Sequence, residues 1–157
     1  MKTENKNKLK LTDINIFNNK TFVTKSYTQT KELAKQFAKV LKPKDIVLFN
    51  GDLGAGKTTF IQGVMAYFGI KKFVRSASFM LVSEFETKDI KLYHLDLYRL
   101  NTVDISEMGI DEYLFGNGIS FVEWSQRLPK NSIKKYWEIC MEYVDDNTRK
   151  IKIKRHL

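Results

Sequence analysis

The sequence predicts a single α/β domain in which a buried strand leads through a glycine-rich turn into an amphipathic helix. The apolar run at residues 46–49 has the length and the β-branched start of a buried strand. Residues 57–68 carry apolar side chains at helical spacing, and Gly69 stands where a helix C-cap belongs. Glycines crowd residues 51–56 between the two. Strand, turn and helix therefore form one structural unit.

Further strands and helices are predicted on both sides of this unit, because apolar alternation and helical spacing recur between turn-forming residues. The predicted elements are a weak edge strand at 21–27, a helix at 28–41 closed by Pro43, strands at 78–85 and 90–99 around a turn at 87–89, a helix at 101–115 with a break near Gly109, a strand at 119–124, and a hairpin of 137–144 with 149–154. We therefore expect a β-hairpin at the C-terminal end of the fold.

The length of 157 residues fits one hydrophobic core, and hydrophobic residues make up 43% of the chain. Residues 1–20 look too polar to join that core, so we interpret them as a polar N-terminal extension and a candidate flexible tail. Residues 21–157 are then expected to form the single domain.

The chain carries 27 Lys and Arg against 18 Asp and Glu, which gives a net charge of +9. Such an excess favours acidic partners such as nucleic acid or an acidic protein face, although it also serves solubility alone. The basic residues are spread over 2–10, 130–135 and 149–155 and do not interleave with aromatic residues in one patch. Direct RNA binding is therefore only weakly indicated.

Cysteine usage and hydropathy exclude several classes of protein. Cys140 is the only cysteine, so an intrachain disulfide is excluded, and neither Cys nor His occurs at metal-ligand spacing. No apolar run approaches the roughly 20 residues that a membrane helix needs, and the N-terminus lacks the apolar segment of a signal peptide. We therefore expect a soluble cytoplasmic protein with no membrane association.

The motif that indicates function is the P-loop pattern of a glycine, four residues and then Gly-Lys-Ser/Thr. Its residues here are Gly51, Asp52, Leu53, Gly54, Ala55, Gly56, Lys57 and Thr58. Glycines let backbone amides turn toward phosphate oxygens without a Cβ in the way, and the following helix N-terminus adds partial positive charge. A glycine-rich turn that binds nothing is the alternative, but the apolar strand before it and the amphipathic helix after it favour phosphate binding.

The residues that end the motif predict how a nucleotide and its magnesium ion are held. Lys57 supplies a full charge to the β- and γ-phosphates, and the Thr58 hydroxyl is placed one residue later to ligate Mg²⁺. Thr59 can add a further phosphate contact. Because a P-loop reads phosphates and not the base, the motif indicates ATP or GTP without choosing between them.

Hydrolysis also needs a carboxylate for the magnesium shell and a group that orients water, so we take Lys57, Asp96 and Glu123 as candidate catalytic residues. Asp96 and Glu123 each follow an apolar strand and could project from the sheet edge toward the P-loop. The sequence leaves their roles open, and a solvated carboxylate is the alternative for each. His94 fits a structural histidine better than a general base, and Arg99 fits an ion-pair partner better than an arginine finger.

Four motifs occur in order along the chain: GDLGAGKTTF at residues 51–60, HLDLYRL at 94–100, EMGIDEY at 107–113 and VEW at 122–124. In this order they resemble the TsaE family, also called YjeE, of small bacterial ATPases in tRNA threonylcarbamoyladenosine biosynthesis. The resemblance covers nearly everything from Thr28 onward. It implies a P-loop NTPase-like three-layer sandwich with a mixed, largely parallel central sheet.

The resemblance implies an ATPase, with ATP and Mg²⁺ as cofactors, that supports the TsaD and TsaB proteins as they attach threonylcarbamoyl to the adenosine beside the tRNA anticodon. It does not imply that this chain performs the transfer. Contact with tRNA is expected to be indirect or weak. The isolated chain is expected to be a monomer.

The resemblance also carries site roles over to matching residues. The matches of Thr58 and Glu123 are expected on magnesium, and the match of Asp96 is expected near the γ-phosphate, where it positions water. The base is expected between residues 27–30 and the turn of the C-terminal hairpin near residues 147–148. The residues expected to hold the nucleotide are Gly51, Gly54, Ala55, Gly56, Lys57, Thr58, Thr59, Thr30, Trp124 and Thr148.

Two positions depart from the pattern of the family. Residues 76–79 read Ser-Ala-Ser-Phe where the family usually shows Ser-Pro-Thr followed by an aromatic residue. Without the rigid proline the loop should be more flexible, so we expect nucleotide to order it less. Ser125 stands where a proline commonly follows the Glu-Trp pair, and we expect it to alter only the exit of that strand.

Two other functions fit the same motif. A small-molecule P-loop kinase would need an acceptor pocket and an arginine-bearing lid, and the sequence shows no lid-sized insertion. A nucleotide-gated binding module would switch its affinity for a partner through binding and without hydrolysis. Because the sequence shows no evident arginine finger or lid, we expect an ATPase of this kind to turn over slowly without a partner.

Overall fold

The computed structural model describes residues 11–72 and 82–157, apart from the side chains of residues 11–13, 102 and 103. The helices are α1 (Leu11–Phe17), α2 (Tyr27–Ala38), α3 (Lys57–Tyr67), α4 (Thr102–Glu107) and α5 (Asp111–Leu114). The strands are β1 (Lys20–Thr24), β2 (Ile46–Asn50), β3 (Val82–Glu86), β4 (Lys91–Asp96), β5 (Ile119–Glu123), β6 (Tyr136–Tyr143) and β7 (Arg149–His156). A short 3₁₀ helix spans Ser125–Arg127.

The described strands form one seven-stranded mixed sheet in the order β1-β7-β6-β2-β5-β4-β3. The four central strands β6, β2, β5 and β4 pair in parallel, whereas β7 and β3 run antiparallel to their neighbours. The predicted C-terminal hairpin is formed by β6 and β7, and it joins the sheet beside the strand that precedes the P-loop. The predicted mixed sheet is therefore confirmed.

One face of the sheet is covered by α1, α2 and α3. Its core is dominated by aromatic side chains: the ring of Phe37 lies 5.2 Å from that of Trp137 and 5.9 Å from that of Phe60, measured between centroids. All three side chains are fully buried. Edge-to-face and tilted pairs of this kind add to the free energy gained by burying the rings. This packing fixes α3, and with it the start of the P-loop helix, against the sheet.

The other face is covered over β2, β5 and β4 by α4, α5 and the segment after β5. Its core joins Leu48, Leu95 and Val122 from the strands to Ile105 and Leu114 from the two helices. Gly109 has a left-handed φ of 64°, which separates α4 from α5 and confirms the predicted break in the helix. The three layers predicted for the chain are thus present.

The boundary between β1 and α2 differs from the predicted one. The strand was expected to run to Tyr27, but it ends at Thr24, and the helix begins at Tyr27. Ser26 is the N-cap, and its side-chain oxygen accepts a hydrogen bond of 3.1 Å from the Gln29 backbone N–H. The strand therefore ends earlier than the alternation of apolar and polar residues predicted, because Ser26 caps a helix that begins at Tyr27.

The expectation that residues 1–20 stay outside the core is wrong for Phe17. This side chain, at the end of α1, is only 4% exposed, and its ring lies 5.5 Å from that of Phe37 and 5.8 Å from that of Phe22. The prediction failed because it rested on the average polarity of residues 1–20, whereas a single apolar side chain can be buried against the sheet. The domain boundary at residue 20 stays a prediction, and residues 76–79 lie outside the described part of the chain.

Helices α2 and α3 approach each other closely at Gly63. A Cβ at this position would stand 2.6 Å from the Lys31 carbonyl oxygen and 2.7 Å from the Ala34 Cβ. Such distances are shorter than van der Waals contact, and the nearest atom belongs to the backbone of α2. Glycine is therefore required by packing here, although it disfavours a helix.

Replacing Gly63 by alanine should lower the free energy of unfolding by about 1–3 kcal/mol through overpacking. Helix propensity alone would raise it by about 1 kcal/mol, so the sign of the change decides between the two effects. Urea denaturation of the full chain measures it. Ala66→Gly, on the exposed side of the same helix, calibrates the propensity contribution. A Gly63→Ala protein as stable as wild type would contradict this close packing.

Candidate functional site

A cleft of about 620 Å³ opens at the edge of the sheet where β2, β4 and β5 end. Its walls come from the P-loop, the first turn of α3, the ends of β4 and β5, the start of α2 and the turn between β6 and β7. The lining residues predicted from the sequence are Thr30, Gly54, Ala55, Gly56, Lys57, Thr58, Thr59, Asp96, Glu123 and Trp124. The structure thus collects most of the predicted site in one place.

The P-loop backbone needs its glycines for two different reasons. Gly54 and Gly56 adopt left-handed φ angles of 80° and 97°, which residues with a Cβ rarely do. A Cβ on Gly51 would stand 2.5 Å from the Met141 carbonyl oxygen, so Gly51 lets the loop pass close to β6. Gly51 does not line the cleft, and the structure shows only its packing role beside β6. Its binding role stays a prediction.

Lys57 lies in the cleft but is only 6% exposed. Its ammonium group donates hydrogen bonds to the carbonyl oxygens of Gly51 and Asp52 in the P-loop itself. Its Nζ also lies 4.3 Å from the ring centroid of Trp124, within the range of a cation–π contact. Burial lowers the pKa of this ammonium group, while the nearby Glu123 and Asp96 carboxylates act in the opposite direction. A phosphate group would replace the carbonyl contacts with stronger ones to an anion.

Glu123 ends β5 as a buried carboxylate that is 5% exposed. One of its oxygens lies 3.5 Å from the Thr58 hydroxyl, and the other lies 2.9 Å from Nε2 of His94. His94 is 2% exposed, so this pair is held away from water. His94 also lines the cleft, and its contact fixes the direction of the Glu123 carboxylate. Its interpretation as a structural histidine and not a general base stays a prediction.

Asp96 ends β4 and stands directly opposite Glu123 in the parallel register of β4 and β5. It is half-buried, and its Oδ1 accepts a hydrogen bond of 3.0 Å from the Tyr98 backbone N–H. Opposed residues in a parallel pair point to the same face of the sheet. The two candidate carboxylates therefore lie side by side at the cleft.

The donor set fits a magnesium ion that is shared with a ligand. Thr58 and Glu123 present a hydroxyl and a carboxylate oxygen close together, and Mg²⁺ prefers oxygen ligands in this combination with phosphates and water. Within residues 11–72 and 82–157, no group of three or more His, Cys, Asp or Glu could hold a metal ion by itself. Thr58 and Glu123 would leave the other coordination positions of a magnesium ion to phosphate and water oxygens.

The far end of the cleft lies between α2 and the β6–β7 turn. Tyr27 and Thr30 line it from one side, and Asn147 lines it from the other. Thr30 is 3% exposed, and its hydroxyl is hydrogen-bonded at 2.7 Å to that of Thr24. The structure does not bring Thr148 into the cleft lining; its backbone closes the turn through hydrogen bonds with the backbone of Asp145. Its contact with a nucleotide stays a prediction.

The sequence analysis missed Arg149, which follows the turn and lines the cleft. Its Nη1 donates hydrogen bonds of 2.6 Å and 3.0 Å to the carbonyl oxygens of Asp145 and Thr148, and its guanidinium group lies 4.6 Å from the ring centroid of Tyr143. The only available signal was an arginine directly after a predicted hairpin turn. That pattern is too common to predict a site, since only the folded hairpin places this side chain opposite the P-loop.

Comparison with known proteins identifies the family. The sequence model of the threonylcarbamoyl adenosine biosynthesis protein TsaE matches residues 24–151. This chain belongs to the TsaE family. A TsaE relative from Bacillus subtilis is 36% identical over 123 residues, which cover 78% of this chain and 77% of the relative. A TsaE relative from Aquifex aeolicus is 38% identical over 140 residues, covering 87% and 96% of the two chains.

A solved structure supports the same assignment. The crystal structure of Bacillus subtilis YdiB superposes on this TsaE-family fold with a TM-score of 0.68 and 31% sequence identity. The match covers 87% of this chain and 84% of YdiB. Family membership places the chain among tRNA threonylcarbamoyladenosine biosynthesis proteins. No helix within the described residues has the length and apolar character that crossing a bilayer requires.

Lys57→Met should be at least as stable as wild type near neutral pH without nucleotide, because it removes a buried charge. The folded pKa of Lys57 is lowered from 10.5, so the unfolded chain binds more protons between the two pKa values. The stability of wild type relative to the variant should therefore rise as the pH increases toward 10.5. Urea midpoints of both proteins across this range measure the difference. A difference that is constant with pH would contradict the burial of this charge.

Proposed function

We propose that this protein is a magnesium-dependent P-loop ATPase that supports the formation of threonylcarbamoyladenosine in tRNA next to the anticodon, together with the TsaD and TsaB proteins. The observation that carries the proposal is the meeting of Lys57, Thr58 and Glu123 in one cleft below a glycine-rich loop. Its relatives are named as tRNA threonylcarbamoyladenosine biosynthesis proteins. ATP is proposed over GTP through the family resemblance.

In the proposed mechanism, the P-loop amides and Lys57 bind the phosphates of the nucleotide. Lys57 leaves the carbonyl oxygens of Gly51 and Asp52 and turns to the β- and γ-phosphate oxygens. Thr58 and Glu123 would hold a magnesium ion, which would neutralise negative charge on the phosphates. His94 keeps the Glu123 carboxylate directed into the site through their 2.9 Å contact.

Asp96 is proposed to orient the attacking water. It stands beside Glu123 in the sheet and lines the same cleft, yet its side chain is less buried than that of Glu123. A carboxylate in this position can accept a hydrogen bond from water and direct a lone pair of that water toward the γ-phosphate. The two neighbouring carboxylates would thus divide the work between magnesium and water.

The isolated protein is proposed to turn over slowly. Arg99 and Arg149 both line the cleft, and the guanidinium group of Arg149 is engaged by the carbonyl oxygens of its own hairpin turn. A cation that stabilises the charge of the transition state must be directed at the γ-phosphate, and its absence can cost a factor of about 10³ to 10⁵ in rate. A partner protein that supplies or redirects such a group would raise turnover.

Magnesium-dependent ATP hydrolysis should therefore collapse in Lys57→Ala, Asp96→Ala and Glu123→Ala, and rise in wild type when purified TsaD and TsaB are added. Phosphate release, measured with and without the partners, tests both parts. Matched controls are Lys91→Ala and Glu86→Ala, a lysine and a glutamate that face each other at the opposite end of β4 and β3. A wild-type protein that binds ATP but never hydrolyses it in any mixture would contradict the enzyme proposal.

A nucleotide-gated binding module is the second candidate, and the rim of the cleft favours it. Four large apolar side chains that line the cleft are strongly exposed: Tyr27 by 69%, Leu53 by 71%, Met108 by 47% and Tyr98 by 42%. Exposed apolar side chains grouped around one opening are typical of a surface that a partner covers. In this alternative, bound nucleotide under the rim controls whether the partner binds.

The two candidates differ in what Asp96→Ala should do. If hydrolysis is required, this variant should bind ATP and fail to support tRNA modification with TsaD and TsaB. If binding alone is required, the same variant should bind ATP and still support modification. Reconstituted threonylcarbamoyladenosine formation on unmodified tRNA, together with ATP binding measured by calorimetry, separates these results.

A further inference from the structure

A row of side-chain hydrogen bonds crosses the sheet next to the start of the P-loop, on the face opposite α3. The Ser125 hydroxyl donates to Oδ1 of Asn50 at 2.8 Å, and Nδ2 of Asn50 donates to Oε1 of Glu138 at 3.2 Å. The second oxygen of Glu138 lies 2.9 Å from Nε2 of His156. We call these four residues the polar chain; none of them lines the nucleotide cleft.

Two members of the polar chain lie next to the functional site in the sequence. Asn50 is the last residue of β2 and directly precedes Gly51, where the P-loop begins. Ser125 is the second residue after Glu123. The backbone ladder between β2 and β5 ends with the pair Phe49 and Glu123. The bond between Ser125 and Asn50 therefore extends the connection of the two strands beyond their last paired residues.

Each member of the polar chain fixes the orientation of the next. Both halves of the Asn50 amide are used, since the oxygen accepts from Ser125 and the nitrogen donates to Glu138. A flipped amide would set acceptor against acceptor on the Glu138 side. Glu138 is held in turn by His156, whose ring stacks on Tyr136 with centroids 4.4 Å apart and an interplanar angle of 15°. The amide of Asn50 is thus held from two sides.

We infer that Asn50 and Ser125 are positioning residues that hold the start of the P-loop in a fixed place relative to Glu123, with Glu138 and His156 fixing the Asn50 amide. The P-loop carries the phosphate-binding amides, and Glu123 stands at the magnesium side of the site. The inference deepens the proposed function, because it requires nucleotide and magnesium to share this cleft. It does not require hydrolysis.

The expected consequence concerns the part of nucleotide affinity that magnesium adds. Without magnesium, a nucleotide is bound by the P-loop amides and Lys57 alone, and this binding does not depend on the distance between the loop and Glu123. With magnesium, Thr58 and Glu123 must both reach one ion, so the distance between the loop and the end of β5 matters. Loss of a group that orients a metal ligand typically costs about 10- to 100-fold in metal affinity or activity. The magnesium enhancement should therefore fall while magnesium-free affinity stays the same.

The test is calorimetric binding of ATP to the full chain with and without Mg²⁺, in wild type, Ser125→Ala and Asn50→Asp. In Ser125→Ala the magnesium enhancement should fall by about tenfold, with unchanged magnesium-free affinity. Ser125→Thr, which keeps the hydroxyl, should restore it. Ser132→Ala and Glu142→Gln are matched controls: Ser132 is an exposed serine in the loop before β6, and Glu142 is an exposed glutamate four residues after Glu138 on β6.

A second pair of variants tests the orientation of the amide. Asn50→Asp places a carboxylate against Glu138 and should remove the magnesium enhancement. Adding Glu138→Gln to it exchanges donor and acceptor across the same contact and should recover the enhancement, whereas adding Glu142→Gln should not. Thermal unfolding of each protein, followed by circular dichroism, reports any general loss of structure separately.

The inference is overturned if Ser125→Ala and Asn50→Asp keep the magnesium enhancement of wild type, or if they lose magnesium-free and magnesium-bound affinity in equal proportion. It is also overturned if wild type binds ATP equally with and without Mg²⁺. A wild type that shows the enhancement but releases no phosphate contradicts the proposed hydrolysis alone. In that case the loss of enhancement in Ser125→Ala would still support the positioning role.

Discussion

The parallel register of β2, β5 and β4 is the constraint on which the whole site depends. Phe49 lies opposite Glu123, and Glu123 lies opposite Asp96, so the ends of three strands coincide at one edge of the sheet. A slip of one residue would turn the carboxylates to the other face. Because β2 ends where the P-loop begins, the same alignment also places Lys57 beside them. One set of backbone pairings thus assembles groups that are far apart in the sequence.

Two charged groups assembled at this edge, Lys57 and Glu123, are largely withdrawn from water. Lys57 is 6% exposed and Glu123 is 5% exposed. Burying charges costs free energy that their mutual attraction recovers only in part, so stability does not explain the arrangement. The proposed nucleotide would explain it, since a low local dielectric strengthens each contact with a phosphate oxygen. Under that proposal, the empty protein is less stable than it could be, and the ligand is bound more strongly.

The two faces of the sheet are covered unequally, and this shapes the surroundings of the site. Helices α1 to α3 cover one face broadly, from β1 and β7 across to β5 and β4, whereas the apolar core on the other face is confined to β2, β5 and β4 and their neighbours. On the remaining strands of that second face, polar side chains such as Glu138 and His156 occupy positions that a further helix would make apolar. The row of hydrogen bonds from Ser125 to His156 lies at this boundary. The strand before the P-loop therefore contacts the apolar cores and also this row of polar side chains.

The sequence by itself determined the unit of strand, glycine loop and helix, and it determined the C-terminal hairpin. It also indicated phosphate and magnesium contacts for Lys57 and Thr58. These features depend on residues that are close together in the chain, and their spacing states the local geometry directly. Only the tertiary structure decided that Phe17 joins the core and that Arg149 lines the cleft. It also showed that Ser125 donates a hydrogen bond to Asn50, whereas the sequence predicted only an effect on the end of a strand. Each of these contacts joins segments whose nearness follows from strand order and helix packing, which no local pattern encodes.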